Sequence, residues 1–146
     1  MLQTRIIPAS GERLPVVGLG TWQAFDIAGE QPDPDATHRA MQSEAAAALL
    51  RFVELGGSLV DSSPMYGSAE QMLGTLAARQ SLHPKLFFAT KVWINGRSEG
   101  IRQMENSLAR MQISLRGPLD LMQVHNLVDT TTHLATLTDW KKSGRV

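Results

Sequence analysis

The sequence predicts an α/β protein: a parallel sheet whose strands are joined by crossover helices. After an N-terminal hairpin, short apolar runs alternate with segments whose apolar residues recur at helical spacing. Ionisable residues also follow directly on several of the apolar runs, where parallel sheets carry their sites. This alternation fits an open sheet or one closed into a barrel. The 146 residues suit one domain without an internal linker. They fall short of a complete eight-stranded barrel, which takes roughly 250.

The hairpin pairs Arg5-Ile6-Ile7 with Arg13-Leu14-Pro15-Val16 around turn residues Ala9 to Glu12. Val16 to Gly20 reads as a first buried strand, and its glycines permit close backbone approach. Phe25 to Arg39 reads as a loop, with Gln31-Pro32-Asp33-Pro34-Asp35 opposing regular structure. A helix is predicted from about Ser43 to Leu55, with Ala45, Leu49, Phe52 and Val53 on one face and Gly56-Gly57 closing it.

Ser58 to Asp61 is the second strand. Ser68 and Gln71 then have capping-box spacing, with Glu70 in the positive first turn. Met72, Leu73, Leu76 and Ala77 stripe the helix that follows. Leu86 to Thr90 is the third strand, a helix follows from about Ser98 to Met111, and Leu119 to Val124 is the fourth strand. A last helix from about Thr130 to Lys142 is expected to bury Leu134 and Leu137, with Trp140 as a third candidate, and to end near Gly144. Arg145-Val146 reads as the start of a further strand.

Composition excludes several functions. Lys+Arg and Asp+Glu both number 14, so no basic face points to nucleic acid. The absence of Cys removes disulfides, thiolate metal sites and Cys nucleophiles. No run is long and apolar enough to span a bilayer, and Met1 to Ser10 lacks the pattern of a secretory signal. The sequence reads as a soluble, cytoplasmic protein. His38, His83, His125 and His133 lack metal-ligand spacing, and His38 and His83 are expected in exposed loops. Gly18-Leu19-Gly20 begins like a dinucleotide fingerprint, but Gln23 occupies the third glycine position.

Four polar residues share one location. Asp61 ends the second strand, Tyr66 lies in the turn after it, Lys91 ends the third strand and His125 the fourth. Taken singly, each has an ordinary explanation: a turn Asp, a packed Tyr, a solvated Lys, a hydrogen-bonded structural His. Their common placement at the C-terminal strand ends lets them converge in one cleft. Such a set suits carbonyl reduction. A hydride arriving at a carbonyl carbon builds charge on oxygen, and that oxygen needs a proton. Tyr is a poor acid in water, with a pKa near 10, and a neighbouring Lys cation lowers it. A carboxylate keeps the Lys charged and placed, and a His donor orients the carbonyl.

The stretches Val17 to Trp22, Asp61 to Glu70, Ala89 to Trp93 and Asp120 to His125, in this order and spacing, resemble the aldo-keto reductases. The resemblance covers essentially the whole chain. It implies a (β/α)₈ barrel of TIM type, truncated to about the first four βα units. Residues 1–16 would be the N-terminal hairpin and 17–146 the first half of the barrel. It also implies a catalytic tetrad of Asp61, Tyr66, Lys91 and His125, with Tyr66 as proton donor. Gly20, Thr21, Trp22 and Asp61 would border the nicotinamide of NADPH, with NADH as the alternative. Trp22 and Trp93 would line the pocket of a small carbonyl substrate, although core packing explains either Trp equally well before the resemblance is used.

The family's second barrel half has no counterpart in the chain, and it supplies most of the cofactor contacts. Little turnover is therefore expected of the isolated chain. Leu59, Phe87 and Phe88 are expected to form an exposed patch. A complementary C-terminal half or another copy of the chain would then be the partner. The alternatives to a reductase are a self-associating half-barrel and a non-catalytic binding module on the same scaffold.

Overall fold

A computed structural model describes residues 2–27, 36–115 and 117–146, with the side chains of 36–38 and 115 left out. The Gln31–Asp35 loop expectation lies outside the described residues. Strands β1 (Thr4–Ile6) and β2 (Arg13–Pro15) form an antiparallel hairpin. Strands β3 (Leu19–Gly20), β4 (Leu59–Asp61), β5 (Phe87–Val92) and β6 (Leu121–Val124) form a parallel sheet in chain order. Helices α1 (Ala36–Glu54), α2 (Ala69–Arg79), α3 (Arg97–Arg110) and α4 (Thr130–Lys142) complete the βα alternation.

The pleat divides the sheet into two faces of different character. Val60, Phe88, Thr90, Val92 and Met122 share one face and are buried with Leu49, Leu73, Leu76, Met104 and Met111 of the helix layer. Gly20, Leu59, Asp61, Phe87, Ala89, Lys91, Leu121 and Gln123 share the other. Leu59 and Phe87 are half-buried there and Leu121 is exposed. Phe88 does not join this open face: it points the opposite way from Phe87 and is fully buried, because alternate strand residues change sides.

Several boundaries differ from the sequence reading. The first strand is confined to Leu19–Gly20, and Val16 and Val17 are exposed. Helix α1 begins at Ala36, well before Ser43, and places His38 in a helix. Arg39, Ala40 and Met41 face solvent, so no apolar stripe marked that first part. At its other end, Gly57 N–H donates to Phe52 O and Gly56 N–H to Val53 O, with Gly56 at φ +90°: a Schellman motif on the predicted glycines. Strand β5 extends to Val92, whereas β6 starts only at Leu121. Asp120 instead accepts the Phe88 N–H at 2.7 Å.

The capping box does not form. Ser68 N–H donates to Asp26 Oδ1 at 2.9 Å, and its hydroxyl lies 2.5 Å from Ile27 O, so the cap comes from a distant loop. In α4, Trp140 is buried while Leu134 is 53% exposed. Arg145-Val146 is not a strand, although Arg145 O accepts the Leu119 N–H. His83 is buried, not exposed: its ring stacks on Phe88, and Nε2 lies 2.9 Å from Met111 O.

Candidate active site

The open face brings Asp61, Lys91 and His125 together with Tyr66. Asp61 is the last residue of β4, and Lys91 lies on the next strand, two residues beyond the register partner of Asp61. That offset suits a long side chain reaching back. Lys91 Nζ lies 2.7 Å from Asp61 Oδ2 and 2.6 Å from Ser62 O. The ammonium is held by one full charge and one carbonyl, and its side chain is 12% exposed.

The turn after β4 aims Tyr66 at the same point. Tyr66 N–H donates to Ser63 O at 3.0 Å, and Gly67 follows in the left-handed region at φ +58°. A Cβ at Gly67 would run into the Asp26 carboxylate, so the close approach of that loop needs glycine. Lys91 Nζ sits 4.9 Å from the centroid of the Tyr66 ring. His125 follows β6 in a single 3₁₀ turn, His125–Leu127, and its ring stands edge-on to Tyr66 at 6.3 Å and 85°. Its Nδ1 lies 3.3 Å from Ser63 Oγ.

The two tryptophans flank this group and are not core residues. Trp22 is 66% exposed, with its ring 6.3 Å from Tyr66; Trp93 is 37% exposed, with its ring 6.1 Å from His125. Gly20 ends β3, and nothing lies within 4 Å of where its Cβ would be. Thr21 is fully buried, with its hydroxyl 3.1 Å from Asp61 O and 2.9 Å from Ser62 Oγ. Its side chain therefore braces the Asp61 backbone.

Two neighbours of these residues escaped the sequence reading. Gln123 pairs in register with Lys91, and its Nε2 donates to Asp61 Oδ1 at 3.0 Å. Both carboxylate oxygens of Asp61 are thus occupied. The signal was available: the sequence reading put His125 at the end of the fourth strand, and alternation places Gln123, two residues earlier, on the same side. The second is Glu70, read only as a first-turn acid. It is fully buried behind the sheet, where Thr90 donates to its Oε1 at 2.6 Å and Arg110 stands 3.6 Å from Oε2. Burial raises its carboxyl above the ordinary range, against the opposing pull of Thr90, Ser107 and Arg110.

Outside the site, Asp129 Oδ2 accepts the Gly96 N–H at 2.8 Å, tying the loop after β6 to the loop after β5. That bond holds the Asp129 carboxyl below its ordinary range. Among the described residues, no group of three or more His, Asp or Glu side chains is placed to hold a metal ion, and no helix is long and apolar enough to cross a membrane.

Residues 16–146 match the Aldo/keto reductase family. Among curated proteins, the chain is 36% identical over 129 residues to the methylglyoxal reductase YeaE of Escherichia coli K12, covering 85% of this chain and 40% of that protein. Among solved structures, it is similar to an aldo-keto reductase from Klebsiella pneumoniae in complex with NADPH. There the TM-score is 0.76 and the identity 22%, over 99% of this chain and 48% of that one. It is likewise similar to a Klebsiella pneumoniae aldo/keto reductase in complex with NADP and acetate: TM-score 0.70, 24% identity, over 92% and 44%. These structures share the TIM-barrel fold, and the four parallel strands with their helices correspond to about half of it.

Proposed function

The chain belongs to the aldo/keto reductase family, and from that premise we propose that it supplies the proton-transfer group of an NADPH-dependent reductase of small aldehydes and ketones. The observation that carries this reading is the contact chain on the open face, from Gln123 through Asp61 and Lys91 to the ring of Tyr66. Methylglyoxal, named in the YeaE relative, is the first substrate to try.

The residues fit a nicotinamide cofactor. Gly20 presents no side chain, open space lies above it, and Trp22 offers a flat exposed ring beside Tyr66. Gly20, Thr21, Trp22 and Asp61 would border the nicotinamide, with Thr21 acting through the Asp61 backbone. NADPH is the expected cofactor and NADH the alternative. When bound, it supplies a hydride to the carbonyl carbon.

The chain's own groups then handle the proton. Tyr66 gives its phenolic proton to the carbonyl oxygen as charge develops there. Lys91, facing the Tyr66 ring, stabilises the phenolate left behind, and Asp61 with Ser62 O keeps that ammonium in place. His125 donates a hydrogen bond that orients the carbonyl, and Trp22 and Trp93 wall the pocket around it. Solvent returns the proton to Tyr66.

The chain spans 40% of the curated relative's length and about half that of the solved structures. On this reading residues 1–16 are the hairpin and 17–146 one half of a barrel. The half-buried Leu59 and Phe87 and the exposed Leu121 favour a partner over the open face, either a complementary C-terminal half or a second copy. Tested alone, the chain is expected to turn over slowly or not at all.

The test is loss of NADPH absorbance with methylglyoxal and an aldehyde panel. It is run on the chain alone and on the chain joined to the remaining length of the YeaE relative. Tyr66→Phe should lower the rate at least about 100-fold. A rate carried equally by Tyr66→Phe refutes its role as proton donor. No cofactor-dependent rate in either protein refutes the reductase reading.

A further inference from the structure

We propose that Ser63 is a positioning residue that fixes the imidazole of His125 as its Nε2–H tautomer while its own carbonyl seats Tyr66. The inference deepens the reductase reading and rests on it for its purpose, though not for its test.

Ser63 stands between the two groups that would meet the substrate oxygen. Its backbone O accepts the Tyr66 N–H at 3.0 Å, and its Oγ lies 3.3 Å from His125 Nδ1. The same Oγ accepts the Met65 N–H at 3.3 Å. A hydroxyl has one proton to give and two lone pairs to offer. One lone pair is taken by Met65.

The tautomer of His125 decides what remains. If Nδ1 carried the ring proton, Ser63 Oγ would accept twice, and its own proton would need another acceptor. Ser63 is fully buried, so water does not reach it, and an unmet buried donor is costly. If Nδ1 is bare, the Ser63 hydroxyl donates to it and the buried serine has a partner for its proton. The ring proton then sits on Nε2, and His125 enters the site as a donor, as carbonyl orientation requires. Ser63 thus sets a proton position at His125 and a ring position at Tyr66 from one peptide unit.

The test reads the tautomer directly, by ¹⁵N NMR of the histidine-labelled 146-residue chain at about pH 8.5, where imidazole is neutral. The His125→Gln variant assigns the signals among the four histidines. In the wild type, Nδ1 should give a bare-nitrogen signal and Nε2 a protonated one. Ser63→Thr keeps the hydroxyl and should keep that pattern. Ser63→Ala should lower the Nε2–H to Nδ1–H ratio roughly two- to tenfold, the size of one neutral hydrogen bond. A wild-type His125 protonated on Nδ1, or an unchanged ratio in a folded Ser63→Ala, overturns the proposal. If circular dichroism shows Ser63→Ala unfolded, the wild-type pattern alone still decides. No cofactor or substrate is present, so this result and the reductase assay fail independently.

Discussion

Gly100→Ala is a small change with a calculable outcome. Gly100 lies in the first half of α3, facing the fully buried ring of His133 on α4. A Cβ there would stand 2.7 Å from His133 Nδ1 and closer still to Cε1. The ring cannot simply step aside, because its Nε2 lies 2.6 Å from Ile94 O in the loop after β5. Alanine in a helix interior is favoured over glycine by about 1 kcal/mol. Overpacking costs about 1–3 kcal/mol, and breaking a buried hydrogen bond about 1–3 kcal/mol more. The net is a loss of about 1–5 kcal/mol, or roughly 3–15 °C in Tm for a chain of this size. Thermal unfolding followed by circular dichroism checks it. In a His133→Ala background the obstacle is gone, and Gly100→Ala should become stabilising by up to about 1 kcal/mol. A higher Tm for Gly100→Ala in the wild-type background refutes the packing argument. An equal Tm loss in both backgrounds refutes the assignment to His133.

Two further outcomes are expected. Burial raises the Glu70 carboxyl above its ordinary 4.5, so the folded chain holds that proton more tightly than the unfolded chain. The stability it contributes is complete below 4.5 and is lost as pH rises through the folded value. Glu70→Gln stays neutral and still accepts from Thr90, so its Tm should gain on the wild type with rising pH; a gap constant from about pH 4 to 8 contradicts this. Gln123→Leu removes one donor from Asp61, whose side chain is 36% exposed and open to water. Stability should change by less than about 1 kcal/mol, while NADPH-dependent reduction falls about tenfold, equivalent to about 1.4 kcal/mol; an unchanged rate shows that Asp61 needs no such anchor.

The strongest periodic signals survived folding best. Helices α2 and α3 lie within a residue or two of their apolar stripes, whereas α4 keeps its predicted bounds, Thr130 to Lys142, but buries His133, Thr136 and Trp140 in place of Leu134. The start of α1 was invisible because its solvent-facing residues leave no stripe. Val16 and Val17 misled because an apolar pair looks the same whether it pairs in a sheet or lies exposed. The cap on Ser68 comes from Asp26, 42 residues earlier, beyond the reach of any local pattern.

The site shows the same division. Chain order placed Asp61, Lys91 and His125 at neighbouring strand ends, which is a matter of topology. The contacts among them depend on register and on turn geometry. Gln123 passed as an ordinary strand residue, and Ser63 had no reading of its own within the stretch Asp61 to Glu70, until the pairing of β4, β5 and β6 set their distances.

The Asp26 clamp has one more consequence. The polypeptide leaves the site past Trp22, buries Phe25 and Ile27, and is fastened at Asp26 and Ile27 to Ser68. The Trp22 wall and the Tyr66 turn are therefore fastened to each other directly, and not only through the sheet. Asp26→Ala should loosen the two together, so that the wall of the pocket and the seat of the proton donor answer to a single side chain.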